Sequence, residues 1–210
     1  MKLIVFGSTG ATGIEVIRLA LEKGYEVIAY ARSPDKINIE HENLTIIKGE
    51  LDDLNSLENA ISKGDAVISL LGASGKVKDN SISNGVKNIV SLMEKHNLKH
   101  IIQVSSAASK DANDRRDLYF DFMVLLVRIA MPKVYSEIQL ISEYLKESSL
   151  DWTIVRLPFL SDDPSTGNLN IGYKGHGVVR KNLSRKDLAD FLIQQIDDDK
   201  YIKKSPFISN

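Results

Sequence analysis

Six apolar runs of strand length, with helical periodicity between them, constrain this chain more than any other feature it has. They are Leu3 to Phe6, Glu26 to Tyr30, Leu44 to Ile47, Ala66 to Leu70, His100 to Val104 and Trp152 to Leu157. Each is nearly continuous in Val, Ile and Leu instead of alternating with polar residues, as expected of strands that helices cover on both faces. Alternating strands and helices imply a parallel sheet ordered by right-handed crossovers. Between the first two runs, Ile14, Ile17, Ala20 and Leu21 share one helical face and Glu15, Arg18 and Glu22 another, with Gly24 placed to stop the helix. Val86, Ile89, Val90 and Met93 make a second apolar stripe, and Val134, Ile138, Ile141 and Leu145 a third. The expected fold class is α/β, a doubly wound parallel sheet.

With 210 residues and no repeat, low-complexity stretch or charged tail, the chain reads as one domain over 1–210. Its composition shifts only between Ser161 and Gly177, where Asp162, Asp163, Pro164 and four glycines crowd together as turns. Arg185 to Ile196 is then helical, and Pro206 to Ser209 is expected to form a last short strand. Ligands of open α/β sheets lie beyond the carboxyl ends of the strands, so 158–210 is expected to be a small substrate-side segment.

Charge and cysteine content exclude several chemistries. Lys plus Arg number 27 against 28 Asp plus Glu, a formal net charge of -1 without a long basic run, which gives no electrostatic footprint for nucleic acid or an anionic membrane, and neither is expected as a partner. The absence of cysteine removes disulfides, thiolate metal sites and cysteine nucleophiles, and fits a reducing compartment. The opening apolar run is too short for a signal-peptide core, so the expected address is cytoplasmic. Leu118 to Met131 is the greasiest region, yet it carries Asp121 and Arg128 and falls short of the roughly 20 apolar residues that span a bilayer. It reads as a buried or interface helix, and a homodimer is left open. His41, His96, His100 and His176 have no metal spacing, and no metal is expected.

Gly7-Ser8-Thr9-Gly10-Ala11-Thr12-Gly13 follows the first strand and opens the first helix. Glycines three apart permit a tight turn, bring main-chain amides close to a pyrophosphate and let the helix pack on the strand, while the helix dipole favours the anion. In this context the loop points to a dinucleotide and a Rossmann fold; a turn selected only for packing is the alternative. The second strand ends Tyr30-Ala31-Arg32, without the acid that accepts from an NAD ribose. Arg32 offers a planar cationic fork to a 2'-phosphate and Lys36 a second charge, so NADP is the expected cofactor. A solvated Arg32, or one paired with Asp35, is the competing reading.

Further blocks extend this pattern: Ala31-Arg32-Ser33-Pro34, Gly49-Glu50-Leu51, Ala66 to Gly72, Val104-Ser105-Ser106 and Leu150 to Arg156. With the glycine loop, they resemble the NAD(P)-binding, NmrA-like branch of the atypical short-chain dehydrogenase/reductase families, and within it are similar to the biliverdin reductase B or flavin reductase type. The resemblance covers most of the chain to about residue 160, and more loosely Arg185 to Phe191. It implies that Thr9 to Thr12, with Gly10 and Ala11 between them, hold the pyrophosphate in a cofactor-binding loop that also includes Gly7 and Gly13, Arg32 the 2'-phosphate, Glu50 and Leu51 the adenine, and Leu71 and Gly72 the adjoining ribose. Glu50 stands where the family usually has Asp. By the same resemblance Ser105 and Ser106 border the nicotinamide from one side and Pro158 and Phe159 from the other, and Ser105 and Tyr135 are the candidate catalytic residues.

Relatives that reduce carbonyls carry Tyr and Lys four apart on the helix before the sixth strand, where the ammonium lowers the phenol pKa. Here the pair is Tyr135 and Gln139, and a neutral amide gives no such help. Flavins, quinones and linear tetrapyrroles need less, because the acceptor is itself electrophilic and holding it against the cofactor supplies much of the rate. The leading expectation is an NADPH-dependent reductase of such a flat conjugated acceptor, with Tyr119, Phe120, Phe122 and Met123 as an apolar wall. An NmrA-type protein that senses NADP(H) without turnover is the rival, and a nucleotide-sugar isomerase or dehydratase ranks last. The Arg32 reading predicts tighter binding of NADPH than of NADH in a titration with each; equal or tighter NADH binding removes Arg32 from the role.

Overall fold

The computed structural model describes residues 1–73 and 79–210. All six expected strands form: β1 (Lys2–Phe6), β2 (Glu26–Ala31), β3 (Leu44–Lys48), β4 (Ala66–Ser69), β5 (His100–Ser106) and β6 (Asp151–Leu157). Three short strands arise within the stretch from Phe159 onward: β7 (Phe159–Ser161), β8 (Asn170–Gly172) and β9 (Asn182–Ser184). β10 (Phe207–Ser209) is the expected last strand. The main sheet runs β3-β2-β1-β4-β5-β6-β10-β8, parallel except where β8 lies antiparallel to β10, and β7 pairs with β9 in a separate ribbon. This is a Rossmann-like α/β sheet whose strand order reverses between β1 and β4, the place where such folds leave a crevice.

Among the described residues six helices flank it: α1 (Ala11–Glu22), α2 (Leu54–Ile61), α3 (Ser81–Lys95), α4 (Leu118–Ala130), α5 (Pro132–Glu147) and α6 (Arg185–Gln194). Continuous apolar strands are explained by their two occupied faces. Leu3 and Val5 of β1 pack with Val16 and Ile17 of α1 and with Leu188 and Phe191 of α6. Ile4 and Phe6, alternating with them, pack with Leu57 of α2, Val86 and Ile89 of α3, and Ile141 and Leu145 of α5. Gly24 ends α1 at φ +83°, as a residue without a side chain readily does.

The greasiest helix departs from one of its two readings. Of the α4 residues only Phe120 is buried, while Leu118, Phe122, Leu125, Leu126 and Ile129 face solvent, so α4 is not a core helix. No helix among the described residues is long and apolar enough to cross a membrane.

A buried ion pair joins the late segment to the sheet. Arg156 of β6 is fully buried, and its guanidinium meets Asp114 through two parallel hydrogen bonds of 2.6 and 2.9 Å. Its remaining donors reach the Ser109 and Ser205 carbonyls, and its plane lies near the rings of Phe207 and Tyr173. The Asp114 carboxylate also accepts from the amides of Asp111 and Lys174. Burial pushes this carboxyl up, but the hydrogen bonds and charge of Arg156 outweigh it and hold the group below the usual carboxylate range.

Removing one partner of such a pair leaves a buried charge without compensation. Asp114→Ala is therefore expected to lower unfolding free energy by about 3–5 kcal/mol, read from denaturant midpoints. Because the folded carboxyl is depressed, its contribution is complete above about pH 4 and is lost as pH falls through the lower folded value. The wild-type and variant stabilities should converge in acid.

Candidate active site

Cavities along the carboxyl edge of the sheet include two that gather the residues singled out above. The first, of about 230 Å3, is lined by Gly7, Ser8, Thr9, Tyr30, Arg32, Lys36, Gly49, Glu50, Leu51 and Leu71 among others. It gathers residues from the ends of β1, β2, β3 and β4, as the crevice of this strand order requires. Gly10, Ala11, Thr12 and Gly13 continue from Thr9 into α1 outside that lining, and Gly72 follows Leu71.

Close backbone approach explains the glycines. Gly7 sits at φ +75°, and a Cβ on Gly13 would lie 2.4 Å from the Gly7 carbonyl oxygen. Gly10 caps α1 with no side chain to take up the first-turn amides, which stay available for an anion. This cradle fits a pyrophosphate. Arg32 is exposed, and among the described residues it makes no ion pair, with Asp35 or any other acid.

Sequence reasoning passed over the residues that fix the shape of the cleft. Ser8 donates 2.7 Å to the Tyr30 carbonyl, and the Tyr30 hydroxyl donates 2.8 Å to the Glu50 carbonyl, stitching together the loops after β1, β2 and β3. Burial, aided by Asp53, Glu50 and Asp52, pushes Tyr30 up to about 12, so it remains a donor at neutral pH. Asn88 of α3 donates to the Leu51 carbonyl and Gln103 of β5 to that of Leu71. The available signal was an aromatic hydroxyl at the last inward position of β2.

The second cavity, of about 160 Å3, is apolar. Ser106, Ala107 and Ala108 bound it on the β5 side, Leu157, Pro158 and Phe159 on the β6 side, and Tyr119, Phe120, Met123, Val124 and Val127 of α4 close it. Pro158, Phe159 and Ser106 thus line one cavity, together with Tyr119, Phe120 and Met123 of the four wall residues named from the sequence; Phe122 is exposed. Ser105 does not line this cavity. Register pairs Ser105 with Arg156 and Ser106 with Leu157, and successive strand residues take opposite faces. Tyr135 is absent from the lining too: it packs in a small cluster with Ala108, Val134 and Ile138, which Val124 and Val127 of α4 also join. Gln139 donates 2.8 Å to the Ala108 carbonyl, and the buried Glu137 accepts from the Ser83 amide and hydroxyl. The polar residues of α5 are spent on holding neighbouring segments.

Outside the cavities, His176 meets the Asn113 carbonyl at 2.8 Å, and His96 meets Glu58 at 2.7 Å. Burial lowers the pKa of His100, at the start of β5. Among the described residues no group of three or more His, Asp and Glu could hold a metal.

A family model described as NAD(P)H-binding matches residues 7–199, from the glycine loop past α6. The chain belongs to the NAD(P)H-binding family. This NAD(P)H-binding protein is 25% identical, in an alignment that covers 99% of its length, to probable pinoresinol-lariciresinol reductase 3 of Arabidopsis thaliana. It is 23% identical, in an alignment that covers 98% of its length, to the photosystem II assembly factor Ycf39 of Synechocystis. It spans 67% of the first relative and 61% of the second. Among solved structures, a short-chain dehydrogenase/reductase of Veillonella parvula in complex with NADP superposes with a TM-score of 0.82 at 20% identity, over 100% of this chain and 94% of that one. ChuY, an anaerobilin reductase of Escherichia coli O157:H7, superposes with a TM-score of 0.79 at 20% identity, over 100% and 97%. At these identities the solved structures establish a shared fold.

Gly13→Ala places a methyl against a carbonyl that cannot withdraw without moving β1 or α1. It should cost about 1–3 kcal/mol of stability, measured by denaturant unfolding, as overpacking of tight contacts does.

Proposed function

We propose that this protein is an NADPH-dependent reductase that passes hydride to a flat, conjugated acceptor such as a flavin, a quinone or a linear tetrapyrrole, in the manner of the NmrA-like and biliverdin reductase B type relatives. One observation carries the reading: a polar cleft with an anion cradle and two cations, reaching the end of β4, and an apolar pocket at the end of the neighbouring β5 whose lining includes no carboxylate, histidine, lysine or arginine. When bound, the reduced nicotinamide supplies the hydride. In this reading Gly7 to Gly13 hold the pyrophosphate through main-chain amides, and Arg32 and Lys36 take the 2'-phosphate. Glu50, Leu51, Leu71 and Gly72 flank the adenosine.

Phe120, Met123, Pro158 and Phe159 then hold the acceptor ring flat and keep water from it, which positions the reacting faces. The Ser106 and Tyr119 hydroxyls are the donors in the lining, and further protons come from solvent. Ser105 and Tyr135 have no part in this arrangement, since neither lines the pocket. Residues 158–210 serve as the substrate side of a single nucleotide-binding unit. Support for reductase chemistry comes from the likeness to a pinoresinol-lariciresinol reductase and, in fold, to an anaerobilin reductase.

A nucleotide-sensing role is the second reading. It is favoured by Gln139, whose amide is engaged with Ala108, and by the likeness to an assembly factor.

Oxidation of NADPH by the purified protein decides between them. Turnover is expected with members of a panel of flavins, quinones and linear tetrapyrroles and not with simple ketones; NADPH binding without oxidation across the panel sinks the reductase reading. Arg32→Ala should weaken NADPH binding by about tenfold to a hundredfold, the loss of a charge-assisted contact, with NADH binding nearly unchanged. Gln139→Lys should not create ketone reduction, because Tyr135 does not line the pocket.

A further inference from the structure

One face of α4 has no function in the site. Leu118, Phe122, Leu125 and Ile129, spaced four, three and four apart, fall in a single line along the helix. All are exposed, Leu118 at 74% and Ile129 at 70%. With Leu126 and Met131 they leave on the order of 600 Å2 of apolar side chain in water, the upper end of what the largest patch on a monomer shows. The opposite face of the same helix, through Phe120, Met123 and Val127, is the wall of the apolar pocket. Phe159, on the rim of that pocket, is 56% exposed.

Cations outnumber acids around this stripe. Arg115 and Arg116 precede α4, Arg128 flanks the stripe and Lys133 follows it, all exposed, and among the described residues none makes an ion pair. The acids nearby are occupied: Asp121 binds the Lys174 ammonium, and Asp117 caps the helix by accepting from the amides of Tyr119 and Phe120. The chain-wide charge of -1 conceals this local excess.

We infer that the α4 stripe docks on an anionic bilayer surface and that the acceptor is a lipophilic, quinone-type molecule carried in that bilayer; the second clause rests on the reductase reading. A stripe of Leu, Phe and Ile bordered by cations is the composition of a helix lying in the membrane interface, with the apolar line in the acyl boundary and the cations among anionic headgroups. A second copy fits less well. A two-fold contact places the same patch against itself, so the cationic border would meet its own charge. Docked through α4, the pocket mouth at Phe159 opens beside the lipid, and a flat apolar acceptor enters without crossing water.

Sedimentation with vesicles tests the surface independently of catalysis. Vesicles of phosphatidylcholine and phosphatidylglycerol in a two-to-one mixture should bind at least about tenfold more protein than phosphatidylcholine alone, and high salt should abolish the difference. Leu125→Glu, and separately Arg116→Glu with Arg128→Glu, should each reduce binding about tenfold, while NADPH oxidation with a soluble flavin stays unchanged. Equal binding to both vesicles, or to neither, overturns the inference. So does light scattering that gives twice the chain mass for the wild type and the single mass for Leu125→Glu, since the stripe is then a self-association face. Vesicle binding without turnover of any acceptor would instead remove the reductase reading and leave the docking surface standing.

Discussion

Gly13 approaches the Gly7 carbonyl so closely that no side chain fits between them, and the geometry of the whole carboxyl edge follows from that contact. It draws the amino end of α1 against the end of β1, so the first-turn amides and the positive end of the helix dipole lie at the crevice between β1 and β4. With α1 so placed, Val16 and Ile17 reach Leu3 and Val5, and α6 completes that layer. The same contact therefore makes an anion cradle and seats a core helix. Ser8, one residue along the turn, extends the constraint to β2 through the Tyr30 carbonyl, and Tyr30 passes it on to the Glu50 backbone.

The far side of the molecule is held by a different kind of interaction. Arg156, buried at the end of β6, gathers the carbonyls of Ser109 and Ser205 and the carboxylate of Asp114, so the loop after β5, the approach to β10 and the segment around Lys174 share one charged centre. Gly175, at φ +79° against the Arg115 carbonyl, lets the late segment lie close to that loop. These ties frame the loop that leads into α4, and α4 supplies one wall of the apolar pocket. A rigid main-chain cradle and a side-chain assembly thus stand next to each other at one sheet edge. The first suits a ligand of fixed chemistry, the phosphates, and the second suits a variable apolar one.

Legibility in the sequence follows this division. Strand positions, the glycine loop, Arg32 and the Gly49-Glu50-Leu51 block could be read because each feature depends on a few consecutive residues, and the cleft brings Gly7, Thr9, Arg32, Glu50, Leu51 and Leu71 together. The apolar pocket is built from the ends of β5 and β6 and from α4. Choosing Ser106 over Ser105 there needs the pleat of a strand relative to a distant helix. Tyr135 had the spacing of a catalytic residue and the surroundings of a packing one. Glu137 and Gln139, adjacent in pattern to it, take on hydrogen-bonding tasks that no periodicity announces.

The sequence by itself determined the α/β sheet and the nucleotide cradle, because apolar runs and glycine spacings act through local backbone sterics and the burial of contiguous residues. Only the tertiary structure decided what α4 does. Its residues are apolar on all sides but the line that carries Asp121 and Arg128, so composition cannot distinguish a core helix from a pocket wall with a greasy outer face. The choice is made by what packs against each side. The sheet and the late segment offer room to cover one face of the helix and leave the other in water.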